Sequence, residues 1–443
     1  MSNLIATISR INQFLWGGPL LVLLMGTHLY FTMKLHFPQK KIKKAILLSI
    51  TPEKPEDSAK KNAAANLSVF ATLATTLAAT LGTGNIVGVS TAIALGGPGA
   101  LFWCWITGIL GMATAYSESY LSVLYKKKDA AGFYRGGPMY IWEYGLKHKS
   151  VGKFYAFLTV IAAFGVGCAT QANAITQTTY TSFRIPPGLS GFVAAILTGF
   201  VIVGGVSAIG NLCMKLVPVL AIVYMGSCVL LLFLGRDALL PAVRLILSDA
   251  LCPKAALSGT AVSSLLLSAR YGIARGLFTN EAGIGTSSIV AAASESNNPV
   301  KQAFVSMTAV FWDTVVMCLL SGLVIVVNQI KHPASLSGIG DASFTEAAFL
   351  QFPFFGSSFL SVCLIAFAVT TLIGWSYLGE SAVLYLTGPK GVSYYKIAYI
   401  VMIYIGAILP LSFVWECTDF INAIMLLPNL LALYLLRNKI KTL

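Results

Sequence analysis

The chain has 443 residues, 56% of them hydrophobic and only 10% charged, with a mean hydropathy of +0.78 and a formal net charge of +14. Soluble domains carry about 25% charged residues, so a water-soluble fold is excluded and an all-α polytopic membrane protein is expected. The apolar runs are long and continuous rather than alternating over about ten residues, which excludes an outer-membrane barrel.

In chain order, the opening stretch "MSNLIATISRINQFLWGGPLLVLLMGTHLYF" lacks an Ala-x-Ala cleavage site and reads as a retained first span. Apolar runs then predict spans near 14–33, 66–94, 100–125, 154–181, 189–207, 212–235, 258–294, 302–328, 354–386, 394–413 and 416–436, about 11 in all. With the N-terminus outside, 22 of the 30 Lys and Arg residues fall inside and six outside, Arg270 and Arg275 lying within a span. That asymmetry predicts a plasma (inner) membrane protein with an outer N-terminus and a cytoplasmic C-terminus. It also accounts for the positive charge without nucleic acid. The basic stretch "KLHFPQKKIKKAILLSI" is expected along the anionic inner leaflet of the lipid bilayer.

No hydrophilic domain interrupts the spans, so residues 1–443 read as one transmembrane domain. Its expected parts are an N-terminal helix and basic loop (1–65), a first repeat (66–235) and a second repeat (258–436). The eight cysteines are scattered without a CxxC pair, and the four histidines sit near span ends or in loops. Neither pattern supports a metal centre or a disulfide framework.

The second span contains "LAATLGTGNIVGVSTAIALGGPG" (77–99), with a polar centre at Thr83, Gly84 and Asn85. Its glycines approach a dinucleotide fingerprint. That motif needs a preceding strand and an acidic residue about 20 positions on, whereas a helical run precedes it and the next acid is Glu118. Gly84-x-x-x-Gly88 can also be a packing notch for another helix. A second stretch shifts the balance: "RGLFTNEAGIGTSSI" (275–289), in the seventh span, again places polar residues and glycines mid-span. Broken helices five spans apart predict two five-span repeats of opposite orientation and mark a transporter site. Unwound N–H groups at a half-helix N-terminus attract a carboxylate, and unwound carbonyls attract a small cation or an ammonium.

At these residues the sequence resembles the alanine or glycine:cation symporter family. The resemblance is carried from about 66 to 388 by "LAATLGTGNIVGVSTAIALGGPGALFWCW", "GMATAYSE", "GGPMYIWEYGL", "RGLFTNEAGIG" and "TTLIGWSYLGE". It implies a leucine-transporter-type fold: a five-plus-five inverted repeat with two discontinuous helices and one additional N-terminal helix. Three places depart from the family pattern: Cys168, the run Val69-Phe70-Ala71, and "TSSIVAAAS" after the second break.

The expected substrate-binding residues are Gly82, Thr83, Gly84, Asn85, Gln171, Phe278, Thr279, Asn280, Thr371 and Trp375. By resemblance, Phe278 closes over the substrate side chain. Thr371 and Trp375 stand four apart on one helix face. Candidate Na⁺ ligands are Thr83, Asn85, Glu281, Thr370 and Thr371, although the threonine pair can equally bond back to its own helix. Gln171 and Asn173 either line the pocket or join helices. The intramembrane acids Glu281 and Asp313 need partners, and Glu281 completes the ion site or pairs with Arg275. Glu380 and Glu118 read as structural.

The expected activity is symport of a small neutral amino acid, alanine or glycine, with Na⁺ as the coupling ion, by alternating access. A proton-coupled carrier of another small solute, using Glu281 and Asp313, is the alternative. No catalytic residue and no organic cofactor is expected. A channel predicts a continuous wet pore rather than paired breaks, and an intramembrane enzyme needs a nucleophile with a base or clustered metal ligands.

Overall fold

The structure, a computed structural model, describes residues 2–51, 66–251, 261–336, 338–352, 356–409 and 411–442. The end of the expected basic loop (52–65) and Cys252 lie outside the described residues.

Apart from one short hairpin, the described elements are helices. In order they are α1 (Ser2–Trp16), α2 (Pro19–Lys34), α3 (Ile42–Ile50), α4 (Val69–Thr80), α5 (Val87–Gly96) and α6 (Ala100–Leu124). The hairpin β1 (Lys127–Lys128) and β2 (Tyr134–Arg135) is followed by α7 (Lys149–Phe183), α8 (Pro187–Val203), α9 (Gly205–Leu234) and α10 (Arg236–Leu251). After these come α11 (Ala261–Asn280), α12 (Thr286–Ala292), α13 (Pro299–Lys331), α14 (Gly356–Thr387), α15 (Pro389–Ile408) and α16 (Leu411–Leu435).

Among the described residues, eight helices are long and apolar enough to cross a membrane, or nine if the bent pair α4 and α5 counts as one span. The count therefore stands beside an expectation of eleven. The run expected at 189–207 is a shorter apolar helix, Pro187–Val203. The run at 258–294 is divided into α11 and α12, and α11 carries Arg270 and Arg275. The outer faces are apolar: Phe192, Phe200, Val203, Ile222, Phe233 and Ile397 are all exposed. Such a surface is stable only against hydrocarbon. The interior instead buries many small and hydroxylated residues, among them Thr72, Thr76, Ser90, Thr114 and Ser117. Small residues let backbones approach where no hydrophobic force drives helices together.

Two features position the site. First, α7 and α13 each contain a stretch of wider, π-type winding, Ala163–Ala169 and Phe311–Cys318. Such winding displaces carbonyls from their regular partners, and side chains take them: Thr170 Oγ1 donates to Gly165 O at 3.1 Å and Gln171 Nε2 to Val166 O at 3.4 Å. Second, the chain entering α4 pairs with the chain leaving α12. The Leu67 N–H donates to Ala293 O at 3.0 Å, and the Glu295 N–H donates to Leu67 O at 2.9 Å. Lys126, just before the hairpin, donates to Ser294 O at 2.9 Å and Ser296 O at 2.7 Å. The far ends of the two broken helices are thereby stitched together.

Candidate functional site

The first break forms where α4 loses its helical path at Leu81. Residues Thr83–Asn85 make a single tight 3₁₀ turn, and the two halves meet at 60°. Glycine matters here for close approach. A Cβ on Gly82 would lie 2.7 Å from Thr371 Oγ1 and 3.2 Å from Gln171 Oε1. On Gly84 it would lie 2.7 Å from Thr279 Cγ2 and 3.2 Å from Phe278 Cδ1. On Gly88 the nearest neighbour is Arg275 Cδ, at 3.9 Å. The packing notch is thus at Gly84, and what fills it is the opposing broken helix.

Among the described residues, four side chains hold this backbone, one of them Thr345, whose Oγ1 donates to Ile86 O at 2.9 Å. The Gly82 N–H donates to Asn85 Oδ1 at 3.2 Å, and the Thr83 N–H reaches Gln171 Oε1 only at 3.5 Å. Leu81 O accepts from Thr371 Oγ1 at 3.1 Å, a hydroxyl also 3.0 Å from Phe367 O. The hydroxyls of Thr80 and Thr83 are buried without a hydrogen-bond partner. Buried polar atoms normally find partners, so the first break keeps unused bonding capacity.

Asn85 keeps its amide oxygen on the turn and points its amide nitrogen away from it. Its Nδ2 donates to the Asp313 carboxylate and lies 3.2 Å from Cys318 Sγ. Thr314 Oγ1 donates to Asp313 Oδ2 at 3.2 Å and sits 3.1 Å from Thr279 Oγ1. The wide winding of α13 thus brings a carboxylate, an amide and two hydroxyls against both breaks.

The second break runs from Glu281 to Gly285, with φ of +54° at Glu281, +103° at Gly283 and +94° at Gly285. The left-handed glycines allow a reversal that a side chain would strain. Glu281 takes a hydrogen bond from Thr286 Oγ1, with the Trp375 indole beside its carboxylate. Arg275 instead reaches Asp419 at 3.5 Å. Trp375 packs so closely on α7 that a Cβ on Gly167 would lie 2.2 Å from Trp375 Cβ.

Most of the sequence-predicted residues therefore meet. Gly82, Thr83, Gly84, Asn85, Gln171, Phe278, Thr279 and Thr371 surround the first break, and Trp375 lies beside Glu281. Asn280 is turned onto its own loop: Oδ1 accepts from the Ala282 N–H at 2.9 Å, and Nδ2 is buried without a partner. Thr370 Oγ1 bonds back to Phe367 O at 2.8 Å, as a mid-helix threonine does when nothing else draws it. Asn173 joins α7 to α15 through Leu409 O at 2.6 Å, outside the site. Glu380 lies 3.2 Å from Lys396 and 4.0 Å from Arg135, at the hairpin end of the bundle. Glu118, by contrast, reaches the second break: its Oε1 accepts from the Gly283 N–H at 2.8 Å. Its only sequence signal was a carboxylate in an otherwise apolar span.

The whole chain, residues 1–443, matches the family model described as the sodium:alanine symporter family. Over 442 residues it is 39% identical to the sodium/alanine symporter AgcS of Methanococcus maripaludis, covering 98% of this chain and 95% of that one. It is 40% identical to an uncharacterized transporter of Haemophilus influenzae, covering 98% of this chain and 94% of that one. It is 33% identical to GlnT of Bacillus subtilis, a probable sodium/glutamine symporter, covering 97% of this chain and 88% of that one. These are transporters, and the apolar helices make this protein a multi-pass membrane protein. The chain belongs to the sodium:alanine symporter family.

Proposed function

We propose that the protein is a secondary active symporter that moves a small neutral amino acid, alanine or glycine, with Na⁺ by alternating access. The observation that carries this reading is the meeting of the two breaks at Gly84, where Thr279 and Phe278 leave no room for even a Cβ. The substrate carboxylate takes N–H groups of residues 82–84, displacing the 3.2 Å bond from Gly82 to Asn85 and the long 3.5 Å contact from Thr83 to Gln171. Phe278 and Trp375 bound the space left for a side chain, which favours a hydrogen or a methyl group. Gln171 and Thr371 border the polar end.

Na⁺ takes oxygen ligands from Thr83, Asn85 and the unwound carbonyls, with Glu281, Thr370 and Thr371 as further candidates. Asp313 supplies the charge nearest to Asn85. Thr370 takes part only by giving up its bond to Phe367 O. Cargo and cation coupled to one closed state supply the differential affinity that alternating access needs. We further read residues 66–235 and 258–436 as inverted repeats around one site, preceded by an added N-terminal helix. The N-terminus lies outside and the C-terminus in the cytoplasm, with α3 along the inner leaflet. The alanine and glutamine in the relatives' names support an amino acid as cargo.

The test is uptake of labelled alanine and glycine into proteoliposomes under an imposed Na⁺ or H⁺ gradient. Na⁺-driven accumulation is expected. Undiminished accumulation without Na⁺ overturns the cation assignment in favour of proton coupling, and no uptake of either amino acid overturns the substrate.

A further inference from the structure

The second break is held by a pair of side chains to which the transport reading gives no role. Glu118 Oε1, from α6, accepts the Gly283 N–H at 2.8 Å. Asn429 Nδ2, from α16, donates to that same oxygen at 2.6 Å and to Gly283 O at 2.8 Å. Both backbone groups of Gly283 are thus satisfied by side chains of two different helices. The pair is itself fixed. Glu118 is 1% exposed and Asn429 is fully buried. Asn429 follows Pro428, whose carbonyl takes the Trp142 indole N–H at 3.0 Å. The loop has no slack behind it either: a Cβ on Gly283 would lie 2.7 Å from Leu24 Cδ1, and one on Gly285 would lie 2.6 Å from Asn429 Oδ1.

Within a bilayer an unwound peptide has no water to turn to. Any shift of Gly283 against α6 or α16 leaves an N–H and a C=O unsatisfied together. The break therefore stands at one place, and with it stand Thr279 and Phe278 four and five residues earlier, the residues that fill the notch at Gly84. We propose that Glu118 and Asn429 are positioning residues for transport: they set the distance between the two breaks and so the affinity for the amino acid. This rests on the symport reading above.

The geometry uses one oxygen of Glu118. Its Oε2 is buried without a hydrogen-bond partner, and no salt bridge to Glu118 occurs among the described residues. The role is that of a hydrogen-bond acceptor rather than a charge, and a glutamine amide oxygen fills it equally well.

Four full-length variants test this: Glu118→Ala, Glu118→Gln, Asn429→Ala and the double alanine variant. In Na⁺-driven alanine uptake, each alanine variant is expected to raise KM about tenfold with Vmax changed less than about threefold. The double variant is expected to be no worse than the worse single one, because the two act as a unit. Glu118→Gln is the conservative rescue, returning KM to within about twofold of the parent. Hydrogen exchange over residues 281–286 of the purified protein is the second measurement and needs no cargo. Exchange there is expected to quicken in Glu118→Ala and not in Glu118→Gln. Equal impairment by glutamine and alanine overturns the proposal, as does unchanged exchange in Glu118→Ala. Quickened exchange in a protein that takes up neither alanine nor glycine overturns the symport reading alone.

Discussion

The two breaks share a sequence style, glycines beside polar residues in an apolar span, yet different side chains hold them. The first has its own Asn85, a 3.5 Å contact from Gln171, and hydroxyls from Thr371 on Leu81 O and from Thr345 on Ile86 O, and it leaves the Thr80 and Thr83 hydroxyls unused. The second has Gly283 bonded at both backbone groups, Ile284 O accepting from Tyr155 OH at 2.7 Å, and Glu281 bonded to Thr286. Similar sequence meets different neighbours: an amide, two threonine hydroxyls and the Asp313 carboxylate face the first break, while the Glu118 carboxylate, an amide and a phenol face the second.

Five substitutions press on that comparison. The largest effect is expected from Asn85→Ala, which removes the side chain that, among the described residues, joins the first break to Asp313. Leaving a buried carboxylate short of a donor costs about 1–3 kcal/mol or more, so uptake should fall about 100-fold. Size-exclusion chromatography should still show a folded protein. Uptake near the parent level would mean that the first break does not hold the cargo. Next, Gly84→Ala pushes a methyl group into Thr279 and Phe278 and should lower uptake about tenfold. Gly88→Ala, four residues on and open at 3.9 Å, should stay within about twofold in the same assay. Equal effects would make the stretch an ordinary helix-packing seam.

The smallest effect comes from a matched pair. Thr371→Val removes the hydroxyl from the Leu81 carbonyl, and Tyr155→Phe removes the one from the Ile284 carbonyl. At the first break, proposed to hold the cargo, the loss should raise KM about fivefold, whereas at the second KM should stay within about twofold. Equal shifts would mean that the cargo does not distinguish the two breaks.

What the sequence makes legible is local. Glycines beside Thr83 and Asn85 disclose the first break, and the left-handed turns at Gly283 and Gly285 fall within the second glycine cluster. Thr371 and Trp375 share a face because helical spacing requires it. The supports are distant in sequence and carry no local mark. Glu118 lies 165 residues from Gly283, and Asn429 lies 146. A glutamate in an apolar span reveals that it needs a partner, but not which one. For Thr370 and Asn173 the sequence leaves two readings open, pocket or helix contact, and in the structure one bonds its own helix and the other joins two helices. Span counting is limited in a similar way, since α11 carries two arginines and α8 is 17 residues long.

The stitch between Leu67 and the chain leaving α12 sets an energy scale. It consists of two peptide hydrogen bonds, beside the lysine that caps Ser294 and Ser296. Two such bonds contribute about 1–3 kcal/mol net, a population bias of about 5- to 150-fold between a joined and a parted end of the bundle. Such a fastening is strong enough to give the molecule a resting shape. It is also weak enough for thermal motion to undo, and for a ligand that prefers one shape to reverse.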